Sequence, residues 1–182
     1  MMVRGERCLL RPWRVRDAPS VVRYANNANV SRYLRDRFPY PYTMAHARGF
    51  LAGAVGEEGE PTKFAIAVDD EAVGGIGLIP GADIEQFSAE IGYWLGEPFW
   101  GRGIVSEALM MVTEHAFQRL NLLRLFAFAF TENVGSVRVL EKAGYEREGC
   151  LKSGAVKLGQ VYDQLLYARI NPSWRGPGLT DR

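Results

Sequence analysis

Metal-binding and nucleophilic residues are scarce in this chain of 182 residues, which has two cysteines and two histidines. Cys8 and Cys150 lie far apart in apolar, strand-like runs, with neither a CxxC pair nor a Cys/His cluster, so no metal site is expected. His46 and His115 fall on different helical stretches without companion ligands and read as ordinary helical residues. An excess of one charge is missing too. Lys plus Arg number 22 and Asp plus Glu 21, a net charge of +1, so no basic surface for displacing counterions from nucleic acid is expected. Nowhere do about 18 apolar residues run together, and the opening MMVRGERCLL lacks the apolar stretch of a signal peptide. Together these absences point to a cytoplasmic protein with reduced thiols, no membrane anchor and no nucleic-acid partner.

What is present is an ordinary globular composition, 47% apolar and 24% charged, in a chain long enough for one domain and short for two. The expected division is a single domain over residues 1–171 and a flexible, Pro/Gly-rich tail over 172–182. Residues 7–13 read as an opening strand ending at Pro12. Asp17 is placed to cap a helix whose face is Val21, Val22 and Ala25, and a short helix follows through Val30, Tyr33 and Leu34. After the extended FPYPYT, Thr43 caps a helix with Ala47, Phe50, Leu51 and Ala54 at helical spacing. KFAIAVD (63–69), EAVGGIGLI (71–79) and AEIGYWL (89–95) form a three-strand meander. From Ile104 the apolar period changes to that of a helix of about four turns. RLFAFAFT (124–131) is apolar on both faces and reads as a central strand. A helix over 134–144 stops at Gly144, and YEREGCL and QVYDQLLYA close the chain as strands. The order is α+β, with a mixed sheet covered by helices.

The stretch FWGRGIVSEALMM (Phe99–Met111) places Gly101, Arg102 and Gly103 between a strand and a helix. A helix N-terminus exposes about four unpaired N–H groups and a partial positive charge. Glycines in front of it let an anion approach the backbone, so the junction suits phosphate. A bare GxG is also the pattern of a simple tight turn. Ser106 stands where the Rossmann motif needs its third glycine, and there is no Gly-Lys-Ser/Thr for a P-loop.

Longer motifs carry a resemblance. AEIGYWLGEPFWGRGIVSEAL and RLFAFAFTENVGSVRVLEKAGYEREG are similar to the GNAT acetyltransferases. LRPWRVRDA, PYPYT and the Gly159-to-Asp163 G-x-x-x-D resemble the RimJ/RimL branch, which acetylates ribosomal-protein N-termini. The match covers most of the chain. It implies the GNAT fold, a mostly antiparallel sheet splayed between 89–95 and 124–131, with helices on both faces. It also implies an acetyl-CoA-dependent N-acetyltransferase whose glycine loop takes the pyrophosphate. The family pattern there is Gln/Arg-x-x-Gly-x-Gly/Ala, and this chain departs from it with Pro98 at the first position. Cofactor contacts are then implied at Trp94, Leu95, Trp100, Gly101, Arg102, Gly103, Ile104, Val105, Asn133, Ser136 and Lys142, with pantetheine on the backbone of 93–95.

Acetyl transfer to an amine requires deprotonation of the amine, stabilisation of an oxyanion and protonation of the leaving thiolate. No Ser/His/Asp or Cys/His nucleophile motif is present, which favours direct attack in a ternary complex. Strand alternation places Glu90, Gly92 and Trp94 on one face, and Glu90 is the candidate base; its other reading is a structural glutamate bonded to a neighbouring loop or helix. Ser136 is the candidate to protonate the CoA sulfur, or else a first-turn hydroxyl that caps a helix. Asn133 caps the same helix or bonds pantetheine. Tyr145 reads as core first and acid second, and Lys142 as a solvated face or a nucleotide contact. Tyr40, Tyr42 and Trp100 line the acceptor side or simply pack. The acceptor implied is a protein N-terminal amine, with a polyamine, amino acid or antibiotic as the alternative, and an acyl-CoA-binding module without turnover as the other class. A homodimer is compatible with the aromatic-rich loops.

Overall fold

The computed structural model describes residues 2–56 and 59–176. Eight strands form one sheet: β1 Val3–Arg4, β2 Leu9–Arg11, β3 Lys63–Val68, β4 Glu71–Pro80, β5 Ser88–Leu95, β6 Arg124–Phe130, β7 Glu146–Lys157 and β8 Gln160–Ile170. Their order is β1-β2-β3-β4-β5-β6-β8-β7, and every pair is antiparallel except β5 with β6. A parallel pair needs a crossover, and helix α4 (Ile104–Gln118) supplies it. The remaining helices are α1 Ala18–Ala25, α2 Ala28–Ser31, α3 Met44–Ala52 and α5 Val134–Lys142.

Strand alternation divides the core between the two faces of the sheet. Leu10, Phe64 and Ile66 are buried with Ala108, Leu109 and Val112 of α4, and Leu140 of α5 belongs to the same cluster. Ala65 and Ala72 are buried on the other face with Val21 and Ala25 of α1 and Ala47 and Leu51 of α3. The two-residue period of the strands thus meets the 3.6-residue period of a helix on each side.

Local chemistry sets the boundaries. Thr43 Oγ1 accepts from the backbone N–H of His46 at 3.3 Å, and Thr43 N–H donates to His46 Nδ1 at 3.1 Å, which closes the first turn of α3. Gly144, with φ +75°, follows the end of α5. Asp17 corrects the sequence expectation, because its side chain does not cap α1. It makes a bidentate pair with the fully buried Arg11, at 2.8 and 2.9 Å, and accepts from Arg14 N–H at 2.8 Å. Arg11 also donates to the Asp70 carbonyl at 3.0 Å, so β2 is tied to the β3–β4 turn. A guanidinium with no access to water needs such partners to offset its lost hydration.

The opening strand is shorter than expected and is preceded by β1, while β7 runs six residues past Leu151. The expected tail falls partly outside the described residues. Its start packs down: Trp174 Nε1 donates to the Asn121 carbonyl at 3.0 Å, and its ring meets Phe87 edge-on at 5.3 Å.

Candidate active site

β5 and β6 pair only at Ser88–Arg124, Ala89–Leu125 and Glu90–Phe126. Past Glu90 the two strands part, leaving β5 held by β4 on one side through Leu95. Its other edge over residues 91–95 therefore has no strand partner. The Tyr93 hydroxyl crosses the gap to Ser136, lying 2.8 Å from the Ser136 hydroxyl and donating to its carbonyl at 3.4 Å. Burial pushes the Tyr93 phenol well above its usual range despite the hydrogen bond to Ser136, so it stays protonated. Ser136 sits in the first turn of α5, where its N–H donates to Asn133 Oδ1 at 3.1 Å. Asn133 is thus a helix cap here.

A cavity of about 760 Å³ opens from this gap. Glu90, Trp94, Asn133 and Ser136, all named from the sequence, line it. Trp94 has room because Gly75 opposite it has no side chain; a Cβ there would come within 2.8 Å of the Trp94 indole nitrogen and 2.7 Å of Trp13. Phe38 packs on both Trp94 and Tyr42, with ring centroids 5.5 and 5.0 Å apart. Glu90 forms an ion pair with Arg35, on the loop between α2 and α3. The Glu90 side chain is 20% exposed and that of Arg35 56% exposed, so the carboxylate lies deeper.

Beyond the C-terminal end of β5, the glycine loop opens α4. Gly101 and Gly103 both have φ +75°, the left-handed region that disfavours other residues, and a Cβ on Gly101 would project into open space. No side chain caps α4, since its N-cap is Gly103 itself. Ile104 is buried and Val105 packs against the core, so both present backbone rather than side chain to the loop's outer surface. Arg102 lies over the Phe99 ring, 5.5 Å from its centroid. Glu107, one turn into α4, accepts from the N–H groups of Glu6, Arg7 and Cys8 at 2.9, 2.9 and 3.1 Å. That carboxylate fixes the β1–β2 turn beneath the helix start.

The other residues of interest fall elsewhere. Leu95 is buried, and its carbonyl accepts from Trp100 Nε1 at 2.8 Å. Trp100 therefore braces the strand end and does not line the cavity. Tyr40 is exposed and also outside it, whereas Tyr42 lines it. Lys142 is exposed on the last turn of α5 and pairs with no described residue. Tyr145 is core: 3% exposed, it shares a 2.8 Å hydrogen bond with Thr113, and burial raises its phenol to about 12. Arg35, Arg37, Tyr93 and His46 are among the cavity residues whose side chains sequence reading did not name as candidates. Tyr93 carried only a core-facing strand signal, His46 only a helical one, and Arg35 lies in a loop without period. Among the described residues no group of His, Cys, Asp or Glu could hold a metal, and no helix is long and apolar enough to cross a membrane.

A half-open strand edge leading to a left-handed glycine pair and an uncapped helix is a cradle for a ligand with amides along its arm and phosphate at its end. Residues 7–146 match the family model described as an acetyltransferase (GNAT) domain. The chain belongs to the GNAT acetyltransferase family. It is accordingly an N-acetyltransferase, and its parted β5 and β6 are the splay that the resemblance implied. Within the family it falls in the RimJ/RimL-like branch. It is 30% identical over 178 residues to an uncharacterized N-acetyltransferase, p20, of Bacillus licheniformis, covering 94% of this chain and 97% of that one. It is 38% identical over 130 residues to the ribosomal-protein-serine acetyltransferase of Escherichia coli, covering 70% and 65% of the two chains. Among solved structures, RimL, the ribosomal L7/L12 alpha-N-protein acetyltransferase, in complex with coenzyme A superposes with a TM-score of 0.82. That pair is 25% identical over 93% of this chain and 98% of the other.

Proposed function

We propose that this GNAT enzyme takes acetyl-CoA as its acetyl donor and a protein N-terminal amine as its acceptor. The observation that carries the reading is the parted β5–β6 pair, with the glycine loop beyond the end of β5 and Glu90 at the point where the strands separate. The N–H groups of residues 101–105 and the Arg102 guanidinium are suited to the pyrophosphate. The unpaired edge of residues 91–95 is suited to the amides of the pantetheine arm. Bound there, acetyl-CoA supplies the reactive thioester. Glu90 takes the proton of the amine, directly or through a water, from its position on the cavity wall. The Ser136 hydroxyl, held by Tyr93, gives a proton to the departing sulfur. The complex of the RimL neighbour with coenzyme A and the ribosomal-protein-serine acetyltransferase relative support this donor and this acceptor class.

The test is turnover of short peptides with free N-termini, read as thiol release and as an added acetyl mass on the peptide. Glu90→Gln and Ser136→Ala are each expected to lower kcat about a hundredfold, in the range for a positioned acid or base. Calorimetric titration with acetyl-CoA is expected to show binding to the wild type and loss in Gly101→Asp, whose carboxylate would meet the pyrophosphate with like charge. Unchanged rates in both catalytic variants would sink the assignment of roles. Folded wild-type protein that does not bind acetyl-CoA would sink the reading itself.

A further inference from the structure

The charges around the cavity are uneven. Its lining includes Arg35, Arg37, Lys63 and Glu90, so Glu90 is the sole acid among the described lining residues, and Arg35 is bonded to it. Lys63 donates to the Gly53 carbonyl at 3.1 Å. Arg37 is exposed, and its side chain has no ion pair or hydrogen bond among the described residues. The acid between the two arginines, Asp36, lies outside the lining and pairs with Lys157 at 3.0 Å. The loop between α2 and α3 therefore turns guanidinium groups toward the cavity while its own carboxylate is held by β7.

From this arrangement we infer that the acceptor is acidic: a peptide N-terminus with carboxylate side chains in its first few residues, received by Arg37 and by the outer face of Arg35. The inference rests on the N-terminal reading above and adds the chemistry of the residues that follow the amine. A polyamine meets the opposite conditions. Its further ammonium groups would pass Arg37 and find no unpaired carboxylate among the described lining residues. Successive residues of an extended peptide advance about 3.3 Å each, so a carboxylate that reaches these arginines belongs to a residue near the amine. The aromatic wall of Phe38, Tyr42 and Trp94 remains for the apolar part of the first residue.

The experiment compares short peptides that are identical except at their second and third residues, which are Glu, Gln or Lys, together with spermidine. Each is assayed at saturating acetyl-CoA with the wild type and with Arg37→Glu. The wild type is expected to prefer the Glu peptide over the Gln peptide by about threefold to tenfold in kcat/KM, the range for two partly exposed ion pairs, and to use the Lys peptide least. The preference resides in KM and shrinks at about 0.5 M salt, where exposed charges are screened. In Arg37→Glu, the Glu and Lys peptides exchange order. Equal use of the three peptides, or an order that ignores Arg37→Glu, overturns the acidic preference and leaves N-terminal acetylation standing. Acetylation of spermidine with refusal of every peptide overturns the N-terminal reading, and this inference falls with it.

Discussion

Glu107 shows how one carboxylate links the glycine loop to the start of the chain. Burial pushes its carboxyl up, but hydrogen bonds from the N–H groups of Arg7, Glu6 and Cys8 and from the Cys8 thiol outweigh burial and hold it below the usual carboxylate range. The same neighbourhood raises Cys8 to about 12, chiefly through burial and next through the Glu107 charge, which leaves an unreactive thiol. A carboxyl that is more acidic folded than unfolded contributes stability above its unfolded value near pH 4.3, and that contribution is lost as pH falls through its folded value. Glu107→Gln is therefore expected to lower stability at pH 7 by about 1–3 kcal/mol, the scale of losing charge-assisted hydrogen bonds. Below about pH 4 the gap between wild type and variant is expected to narrow. Urea unfolding at both pH values checks this, and a gap that stays constant with pH would rule out the carboxylate's charge as the cause.

Among the elements, the β7–β8 hairpin governs the loop that carries Arg35. Lys157, at the end of β7, is 7% exposed and donates to the Leu34 carbonyl at 2.7 Å. Tyr33, on the same loop, meets Phe130 edge-on at 6.1 Å, and Phe130 stacks on Tyr162 of β8 at 4.9 Å. Lys157→Met is expected to loosen this loop and raise the acceptor KM about tenfold, the lower end of the scale of one lost hydrogen bond to a charged group, while acetyl-CoA affinity is unchanged. Lys157→Arg is expected to restore most of the effect. Steady-state kinetics with each substrate varied in turn, beside acetyl-CoA titration, decides between this and general damage to the fold. Sequence reading reached these elements unevenly. Thr43 and Gly144 mark helix ends through bonds made within a few residues, and both were legible. Residues 152–157 are mostly exposed and have no apolar alternation, so the far half of β7 carried no signal. Asp17 has the composition of a cap, but its partner Arg11 is reached only through the tertiary fold.

For the molecule as a whole, a ligand lodged between the parted β5 and β6 would join two sections of the sheet that otherwise share three residue pairs. Binding to the folded state alone stabilises it by about 2.7 kcal/mol at a hundredfold excess over Kd. For a chain of this length that is a rise in Tm of about 5–10 °C. Thermal unfolding with and without acetyl-CoA measures it, and Gly101→Asp is expected to abolish the shift; an equal shift in that variant would move the phosphate site elsewhere. The candidate site was legible where its residues follow one another. The glycine loop, Glu90 on its strand, and Asn133 with Ser136 are all local patterns. The pairs Tyr93–Ser136 and Arg35–Glu90 are 43 and 55 residues apart in the chain, and only the way the sheet closes reveals them.

The seam between β5 and β6 also divides the chain in order. Every strand on one side comes from residues 3–95 and every strand on the other from residues 124–170. Glu90 and the aromatic wall belong to the first segment, Ser136 to the second, and the glycine loop to the connection between them. The sheet is in this sense two sections that meet at a short seam, with the candidate site residues divided across it. The buried core beneath the sheet is continuous across the seam, from Phe64 and Leu109 to Leu140 and Leu165, so the proposed base and acid keep their spacing only while that core is intact. Substitutions that loosen this core across the seam are therefore expected to lower turnover and stability together, which kinetics beside urea unfolding would measure.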